Sequence, residues 1–161
     1  MGGQGAPLVP YGDKHLFYDY DYCINIGGIL NISSLNTKRL FGYDICPANI
    51  ILNYFSRKLN MDFDLNGTIS SSGNLDKNLF DKLNNLKYYN QKPPKSLDLR
   101  YIENNYLNLF KDKDPKNILY TYINHIAYQL NNNLIKRNSK VLLTGGGVFN
   151  KHLIEKIESF N

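Results

Sequence analysis

The stretch DYCINIGGILNISSL, residues 21–35, consists of two short apolar runs separated by Gly27 and Gly28. Each run has the length of a buried strand, and a pair of glycines between two such runs is typical of a tight β-hairpin. Glycine suits the turn because it adopts positive φ values without a steric penalty. The sequence therefore predicts two strands, 21–28 and 29–35, paired as a hairpin with the glycines at its tip.

The elements after the hairpin indicate the class of fold. RLFGYDI (39–45) is predicted as a third strand with Asp44 at its carboxyl end, and Pro47 falls at the first position of a helix, where proline is favoured. Three consecutive strands followed by alternating helix and strand predict an α/β fold with a mixed sheet covered by helices. Apolar spacing predicts the later elements: helices over 75–86, 98–111 and 115–137, a strand over 140–147, and a helix from about residue 148.

Composition and charge restrict the classes of function. The chain has 161 residues, of which 42% are hydrophobic, which suits one domain with a substantial core rather than a disordered segment. Its net charge of +5 suits an anionic partner such as a nucleotide or an acidic sugar. The basic residues form no arginine-rich stripe interleaved with aromatics, so no nucleic-acid partner is predicted.

Residue spacing argues against a metal site, a disulfide framework and a membrane segment. Cys23 and Cys46 have no metal-ligand spacing and are predicted to be reduced thiols in the cytoplasm. His15, His125 and His152 lie far apart in sequence and are predicted to be packing or surface residues rather than metal ligands. No run of about 18 apolar residues occurs, so no membrane partner is predicted.

Three glycine-rich stretches are candidates for ligand contact. LLTGGGVFN (142–150) fits either a nucleotide contact at a helix start or a plain strand-to-helix turn. NIGGILN (25–31) fits either a hairpin tip that offers N–H groups to a phosphate or a hairpin without a ligand. The loop GGQGAPLVP (2–10) is stiffened by two prolines, as expected of a loop held against a ligand or another domain. The LLTGGGVFN stretch has the spacing of neither a P-loop nor a Rossmann fingerprint.

Six motifs in order resemble those of the anhydro-N-acetylmuramic acid kinase family, within the sugar kinase, heat-shock-protein ATPase and actin superfamily. They are GGQGAPLVP, NIGGILNIS, YDICPAN, FDLNGTISSSG, QKPPKS and LLTGGGVFN, and the likeness runs from residue 2 to about residue 158. The resemblance implies a ribonuclease H-like fold, present here incompletely, as an internal fragment of a longer protein. The glycine-rich start of the chain and its end within an amphipathic pattern agree with that expectation.

The resemblance also implies a division of the chain into domains. Residues 1–18 correspond to the end of a first domain that is mostly missing, including its G-T-S-x-D-G phosphate loop. Residues 19–161 correspond to most of a second, nucleotide-binding domain, with a helical insertion at about 60–112.

The activity that the resemblance implies is a kinase reaction on a small amino sugar. Such enzymes use ATP, Mg²⁺ and water to open 1,6-anhydro-N-acetylmuramic acid and phosphorylate its O6, giving N-acetylmuramic acid 6-phosphate for cell-wall recycling in the cytoplasm. The full-length form is compatible with a homodimer. Asp44 corresponds by position to the family's catalytic aspartate and becomes the candidate general base, whereas the residues alone also allow a simple role at a helix start.

Other site residues are carried over from the matching motifs. Lys95 is expected to face an anionic substrate or, alternatively, to be solvated, and each glycine fits a turn that only glycine allows. No protein metal ligand is implied. The implied nucleotide-binding residues are Asn25, Gly27, Gly28, Gly145, Gly146, Gly147 and Asn150, and the implied substrate-binding residues are Gln4, Gly5, Asn49 and Lys95.

The chain departs from the family pattern beside Asp44. Where the family has D-T-G-P-G-N, this sequence has Ile45, Cys46 and Ala48, which add side chains where the family backbone is bare. Asp98 also differs from the family's glycine after the QKPPKS motif. Two main hypotheses follow: a segment of an ATP-dependent anhydro-sugar kinase, or a truncated or degenerate relative that binds nucleotide or a partner domain without catalysis. A third, a different sugar kinase of the superfamily, fits GGQGAPLVP and PPKS less well. The isolated chain is expected to be inactive.

Overall fold

A computed structural model describes residue 12 and residues 15–35, 41–134 and 138–159. Four strands and six α-helices lie wholly within these ranges, and residues 12, 15 and 16 are helical as well. The strands are β1 (Tyr22–Ile26), β2 (Ile29–Ser34), β3 (Phe41–Pro47) and β4 (Val141–Thr144). The helices are α1 (Asn49–Lys58), α2 (Thr68–Ser71), α3 (Lys77–Asn84), α4 (Leu99–Tyr106), α5 (Pro115–Asn133) and α6 (Lys151–Glu158). Short 3₁₀ turns lie at Leu65–Gly67, Lys87–Asn90, Leu107–Phe110 and Gly146–Phe149.

The strands form one mixed sheet in the order β3-β2-β1-β4. β2 is antiparallel to both β1 and β3, whereas β4 is parallel to β1. A parallel pair needs a long crossover, and the helices α1 to α5 lie in the chain between β1 and β4. The predicted mixed α/β sheet covered by helices is therefore confirmed.

The hairpin of β1 and β2 is confirmed, but the predicted reason for its glycines is wrong. The last residue pair is Ile26 with Leu30, so three residues make the connection. Neither Gly27 nor Gly28 has a positive φ; the described glycines with positive φ are Gly67 and Gly145. The positive φ values expected at Gly27 and Gly28 belong to two-residue turns, and this connection is one residue longer.

The end of β3 differs from the prediction. Asp44 lies in the middle of the strand, which continues to Pro47, and α1 begins at Asn49. Pro47 is therefore not the first helical residue. It pairs with Ile29 on β3, an edge strand of the described sheet, where a residue without an N–H is tolerated. Its carbonyl oxygen accepts a hydrogen bond from the Tyr122 hydroxyl at 3.0 Å.

The core lies between the sheet and the long helix α5. Ile24, Ile26, Leu30 and Ile32 on the strands belong to the same buried cluster as Tyr122 and its neighbours on α5. Full burial of such a side chain contributes about 1.5–3 kcal/mol. The predicted start of α5 is confirmed, because Asp114 accepts a hydrogen bond from the Asn117 amide and proline occupies the next position.

Aspartate or asparagine side chains also cap α3, α4 and α6. Asp98 accepts a hydrogen bond from the Tyr101 amide at 2.6 Å, so its side chain begins α4. Replacing such a cap by alanine costs about 1 kcal/mol. The departure of Asp98 from the family's glycine therefore has a local structural reason.

His125 and His152 are buried packing residues, as the sequence predicts. His125 is fully buried, donates from Nδ1 to the Asn84 Oδ1 atom at 2.7 Å, and accepts at Nε2 from the Tyr89 hydroxyl at 2.8 Å. Asn84 uses its amide nitrogen on Phe80, which fixes the direction of the bond from His125. Burial lowers the pKa of His125 to about 3, so the ring is neutral.

Cys23 and Cys46 are both buried and form no disulfide with each other. Across the described ranges, no group of three or more histidine, cysteine or acidic side chains is placed to hold a metal ion. In the same ranges, no helix has the length and apolar character needed to cross a bilayer.

Candidate active site

The Gly145–Gly147 turn lies directly against the end of β1. Gly145 has φ +85°, and a Cβ added there would overlap the Oδ1 atom of Asn25 and lie 2.8 Å from the Ile26 carbonyl carbon. A Cβ added at Gly147 would overlap the Cγ2 atom of Ile26. Because β1 and β4 are parallel, their carboxyl ends lie side by side. We call this border of the sheet the carboxyl edge; ligands usually bind there in an α/β fold.

The start of α1 joins the same edge. The Asn49 side-chain amide donates to the Ile26 carbonyl oxygen at 3.2 Å, and its backbone amide donates to the Gly27 carbonyl oxygen at 3.1 Å. The same side-chain nitrogen lies 3.9 Å from the position of a Cβ added at Gly146. The structure thus brings together most of the residues predicted for the nucleotide, namely Asn25, Gly27, Gly28, Gly145, Gly146 and Gly147, and places Asn49 among them.

Parts of this edge leave the backbone open. Asn25 is the exposed residue of an otherwise buried β1. A Cβ added at Gly27 would meet Asn25 Oδ1 at 3.5 Å, an ordinary contact, and one at Gly146 would meet nothing closer than 3.9 Å. A ligand can therefore approach the main chain at these two positions.

Asn150 has a structural task beside this edge. Its side-chain oxygen accepts a hydrogen bond from the Leu153 amide at 3.0 Å and caps α6, and the residue is 8% exposed. The predicted contact between Asn150 and the nucleotide stays a prediction.

Asp44 is half-buried on β3, and one of its carboxylate oxygens is occupied. The Leu97 amide donates to Oδ2 at 2.9 Å. Burial raises the pKa of Asp44 above its ordinary value, and the hydrogen bond from Leu97 opposes that shift in part. Among the described residues, no donor reaches Oδ1, so this oxygen is free to accept a proton.

A β-bulge follows Asp44 in the strand. Asn31 pairs with Asp44 and Leu30 with Cys46, which leaves Ile45 as the extra residue. Bulges interrupt the alternation of sides and re-aim neighbouring side chains. Here both Ile45 and Cys46 are fully buried in the core. The side chains that depart from the family pattern therefore point into the protein, and burial raises the pKa of the Cys46 thiol.

Lys95 is buried rather than solvated, which excludes one of its two predicted environments. The residue is 8% exposed, and its Nζ atom lies 4.5 Å from the centroid of the Tyr88 ring, with the rings of Tyr43 and Tyr89 at about 6 Å. Burial lowers the pKa of its ammonium. No carboxylate of the described residues lies within 4.0 Å of it.

Sequence reasoning missed two residues that contact Asp44. The Tyr88 hydroxyl donates to the Asp44 carbonyl oxygen, and the Leu97 amide holds its carboxylate. The QKPPKS motif marked this region, but nothing in the pattern indicates which strand the segment meets. The predicted substrate residues Gln4 and Gly5 lie outside the described residues.

Among solved structures, the fold is similar to that of an activator of the 2-hydroxyisocaproyl-CoA dehydratase from Clostridium difficile, determined with bound ADPNP. The TM-score is 0.51 at 13% identity, over 94% of this chain and 55% of that chain. The chain has the ribonuclease H-like fold of the actin and sugar-kinase ATPases.

The sequence defines the family within that class. The family model described as anhydro-N-acetylmuramic acid kinase matches residues 1–160. Enzymes of that name from the gamma-proteobacterium EBAC31A08 and from Clostridioides difficile strain 630 are 34% and 35% identical to this chain, over 98% and 91% of its length. The chain belongs to the anhydro-N-acetylmuramic acid kinase family. It spans 46% and 43% of those two relatives, less than half of their length.

Proposed function

We propose that this chain supplies the general base and the nucleotide-binding turns of an ATP-dependent kinase of 1,6-anhydro-N-acetylmuramic acid. In the reaction, water adds to C1 of the sugar, the bond between C1 and O6 breaks, and O6 attacks the γ-phosphate of ATP. The products are N-acetylmuramic acid 6-phosphate and ADP. Membership of the family supports the reaction class, and the site geometry supports the roles of individual residues.

The geometry of Asp44 is the observation that carries the proposal. Leu97 holds Oδ2, so Oδ1 is the oxygen that takes the proton from the attacking water. Because the pKa of Asp44 is raised, its carboxylate is a stronger base than an ordinary aspartate. A half-buried carboxylate with one free oxygen fits this task better than a helix cap, because Asp44 lies inside a strand.

The two glycine turns are proposed to bind ATP. The hairpin tip at Gly27 and Gly28 would face the phosphates, and the Gly145–Gly147 turn would face the adenosine. Support comes from the open backbone at Gly27 and Gly146 and from the exposed Asn25, whose Oδ1 atom lies beside both Gly27 and Gly145. Negative phosphates also suit the net charge of the chain.

Mg²⁺ is proposed to arrive with the nucleotide. This cation is usually held by substrate phosphates together with one or two carboxylates. When bound, Mg²⁺ would neutralise charge on the transferring phosphoryl group.

The sugar is proposed to bind beside Asp44 and Asn49. Asn49 lies at the edge where β1 and α1 meet, next to the proposed phosphate site.

The proposed domain division is residues 1–18 and a nucleotide-binding domain over 19–161, with the helices of about 60–112 as its insertion. Because the ammonium of Lys95 is enclosed by tyrosine rings, we give it a different role from sugar binding.

The test uses the full product of the gene with ATP, Mg²⁺ and the anhydro sugar. Mass spectrometry should detect N-acetylmuramic acid 6-phosphate in step with ADP release. Asp44→Asn should lower turnover by about 10²-fold or more, because general-base catalysis contributes about that much, and should leave ADP binding intact. Asp62→Asn, which alters an exposed aspartate, is the matched control.

Two outcomes would contradict the proposal in different ways. ADP binding without any sugar phosphate would favour the alternative, a non-catalytic nucleotide-binding relative. Full turnover by Asp44→Asn would remove Asp44 from the mechanism while leaving the kinase assignment in place.

A further inference from the structure

We propose that the segment 88–97 positions the catalytic carboxylate, through three residues that we call the Asp44 clamp: Tyr88, Lys95 and Leu97. This inference rests on the proposed function, since it concerns the same base-catalysed step. Tyr88 and Lys95 are positioning residues in this proposal, because they act on Asp44 and not on the sugar or the nucleotide.

The clamp holds Asp44 at its amide, its carbonyl and its carboxylate. The Asp44 amide donates to the Lys95 carbonyl oxygen at 3.1 Å, and the Leu97 amide donates to Asp44 Oδ2 at 2.9 Å. The Tyr88 hydroxyl donates to the Asp44 carbonyl oxygen at 2.5 Å. Three contacts on one residue fix both its backbone and the orientation of its side chain.

Lys95 braces the clamp from inside. Its ammonium donates to the Tyr88 carbonyl oxygen at 3.3 Å and lies over the ring of the same tyrosine. Burial of an ammonium is unfavourable, and here one carbonyl and the faces of tyrosine rings offset that cost. Tyr88 is therefore fixed at its backbone and its ring, while its hydroxyl is directed at Asp44.

The clamp determines which oxygen of Asp44 does the chemistry. With Oδ2 bound to the Leu97 amide, the carboxylate cannot rotate freely, and Oδ1 keeps one direction. Proton transfer needs a base within about 2.6–3.2 Å of the proton's heavy atom, so loss of this orientation lowers the rate even when the carboxylate remains.

The first measurement is a titration of the unmodified chain by NMR, with ¹³C-labelled aspartate carboxyls and ¹⁵N-labelled amides. The Leu97 amide proton should shift with pH in parallel with the Asp44 carboxyl carbon, because the two share a hydrogen bond. Asp44→Asn should abolish that pH dependence. A Leu97 amide that does not follow the Asp44 titration would overturn the proposal, whatever the variants do.

The second measurement uses Lys95→Met and Tyr88→Phe, which keep most of the packing volume. Each should weaken hydrogen-exchange protection of the Leu97 amide by about fivefold, the effect expected for loss of one hydrogen bond, and should reduce its pH-dependent shift. Lys92→Met, which alters an exposed lysine of the same segment, should change neither.

The same variants of the full gene product should lower kcat with little change in the KM for ATP. A folded Lys95→Met protein with unchanged Leu97 protection and unchanged kcat would overturn the proposal. If the titration behaves as expected but no sugar phosphate forms, the clamp stands and the kinase function fails. The two inferences can therefore be told apart.

Discussion

The two glycine turns at the edge of the sheet look alike in sequence but use glycine for different reasons. At Gly145 and Gly147 the surrounding protein leaves no room for a side chain, and Gly145 also has a positive φ. At Gly27 φ is not positive, and a Cβ would make only a normal contact. Folding therefore requires glycine in the Gly145–Gly147 turn, whereas a requirement for glycine at Gly27 would have to come from a ligand.

This difference distinguishes the two interpretations that the sequence left open for each glycine turn, namely a ligand contact and a turn without a ligand. The triplet is both a turn that only glycine fits and a candidate ligand contact, with Gly146 as its open position. The hairpin tip has no comparable steric need at Gly27. Substitutions in the two turns should consequently divide into those that damage stability and those that damage nucleotide binding.

The largest effect on stability is expected for Gly145→Ala. Positive φ costs about 1–2 kcal/mol for an alanine, and the overlap with Ile26 and Asn25 adds a similar amount. The sum of about 3 kcal/mol should lower the melting temperature by about 10 °C, measured by thermal unfolding. A melting temperature unchanged by this substitution would contradict the steric account of the turn.

A smaller loss is expected for Gly147→Ala. Its φ is not positive, so the penalty comes from the contact of the new Cβ with Ile26, mainly with its side chain and also with its carbonyl oxygen, about 1–3 kcal/mol. The double variant with Ile26→Ala, which removes the overlapping Cγ2 atom, should lose less stability than the sum of the two single losses and so recover part of the loss. No recovery would show that the contact does not limit stability.

The smallest change in stability is expected for Gly27→Ala, within about 0.5 kcal/mol, since it creates no overlap. Its effect should appear instead as weaker binding of ADP, by about tenfold, in calorimetric titration. Gly73→Ala is a control of the opposite kind. Its Cβ would overlap the Lys116 carbonyl oxygen and touches neither glycine turn, so it should lower stability and leave the affinity of the folded protein unchanged.

The order of elements could be predicted from the sequence because local signals decide it. The apolar runs around Gly27 and the cap at Asp114 specify a strand pair and a helix start without help from distant residues. Side-chain spacing of period two or 3.6 carries that information directly. The mixed sheet followed from the same signals.

The local geometry beside Asp44 could not be predicted, because it depends on distant contacts. Strand β3 extends to Pro47 through pairing with β2, and the bulge at Ile45 allows two consecutive residues to be buried. Neither feature has a signature within residues 41–49. A proline before a helical pattern predicted a helix start by a rule that the strand pairing overrode.

The environment of Lys95 was also beyond the sequence. A lysine after two prolines indicates an exposed loop, yet tertiary packing places its ammonium over the Tyr88 ring. Only the fold brings the segment 88–97 to β3. The family motif marked the region without indicating its task.

The central claim is that the hairpin tip and the glycine triplet form one nucleotide site. The most direct test is a titration of the ¹⁵N-labelled chain with ADP, following individual amides. We predict that Gly27, Gly28 and Gly146 shift together with a single dissociation constant, while Gly73 does not move. Saturable binding that shifts only one of the two turns, or an absence of binding, would contradict the claim.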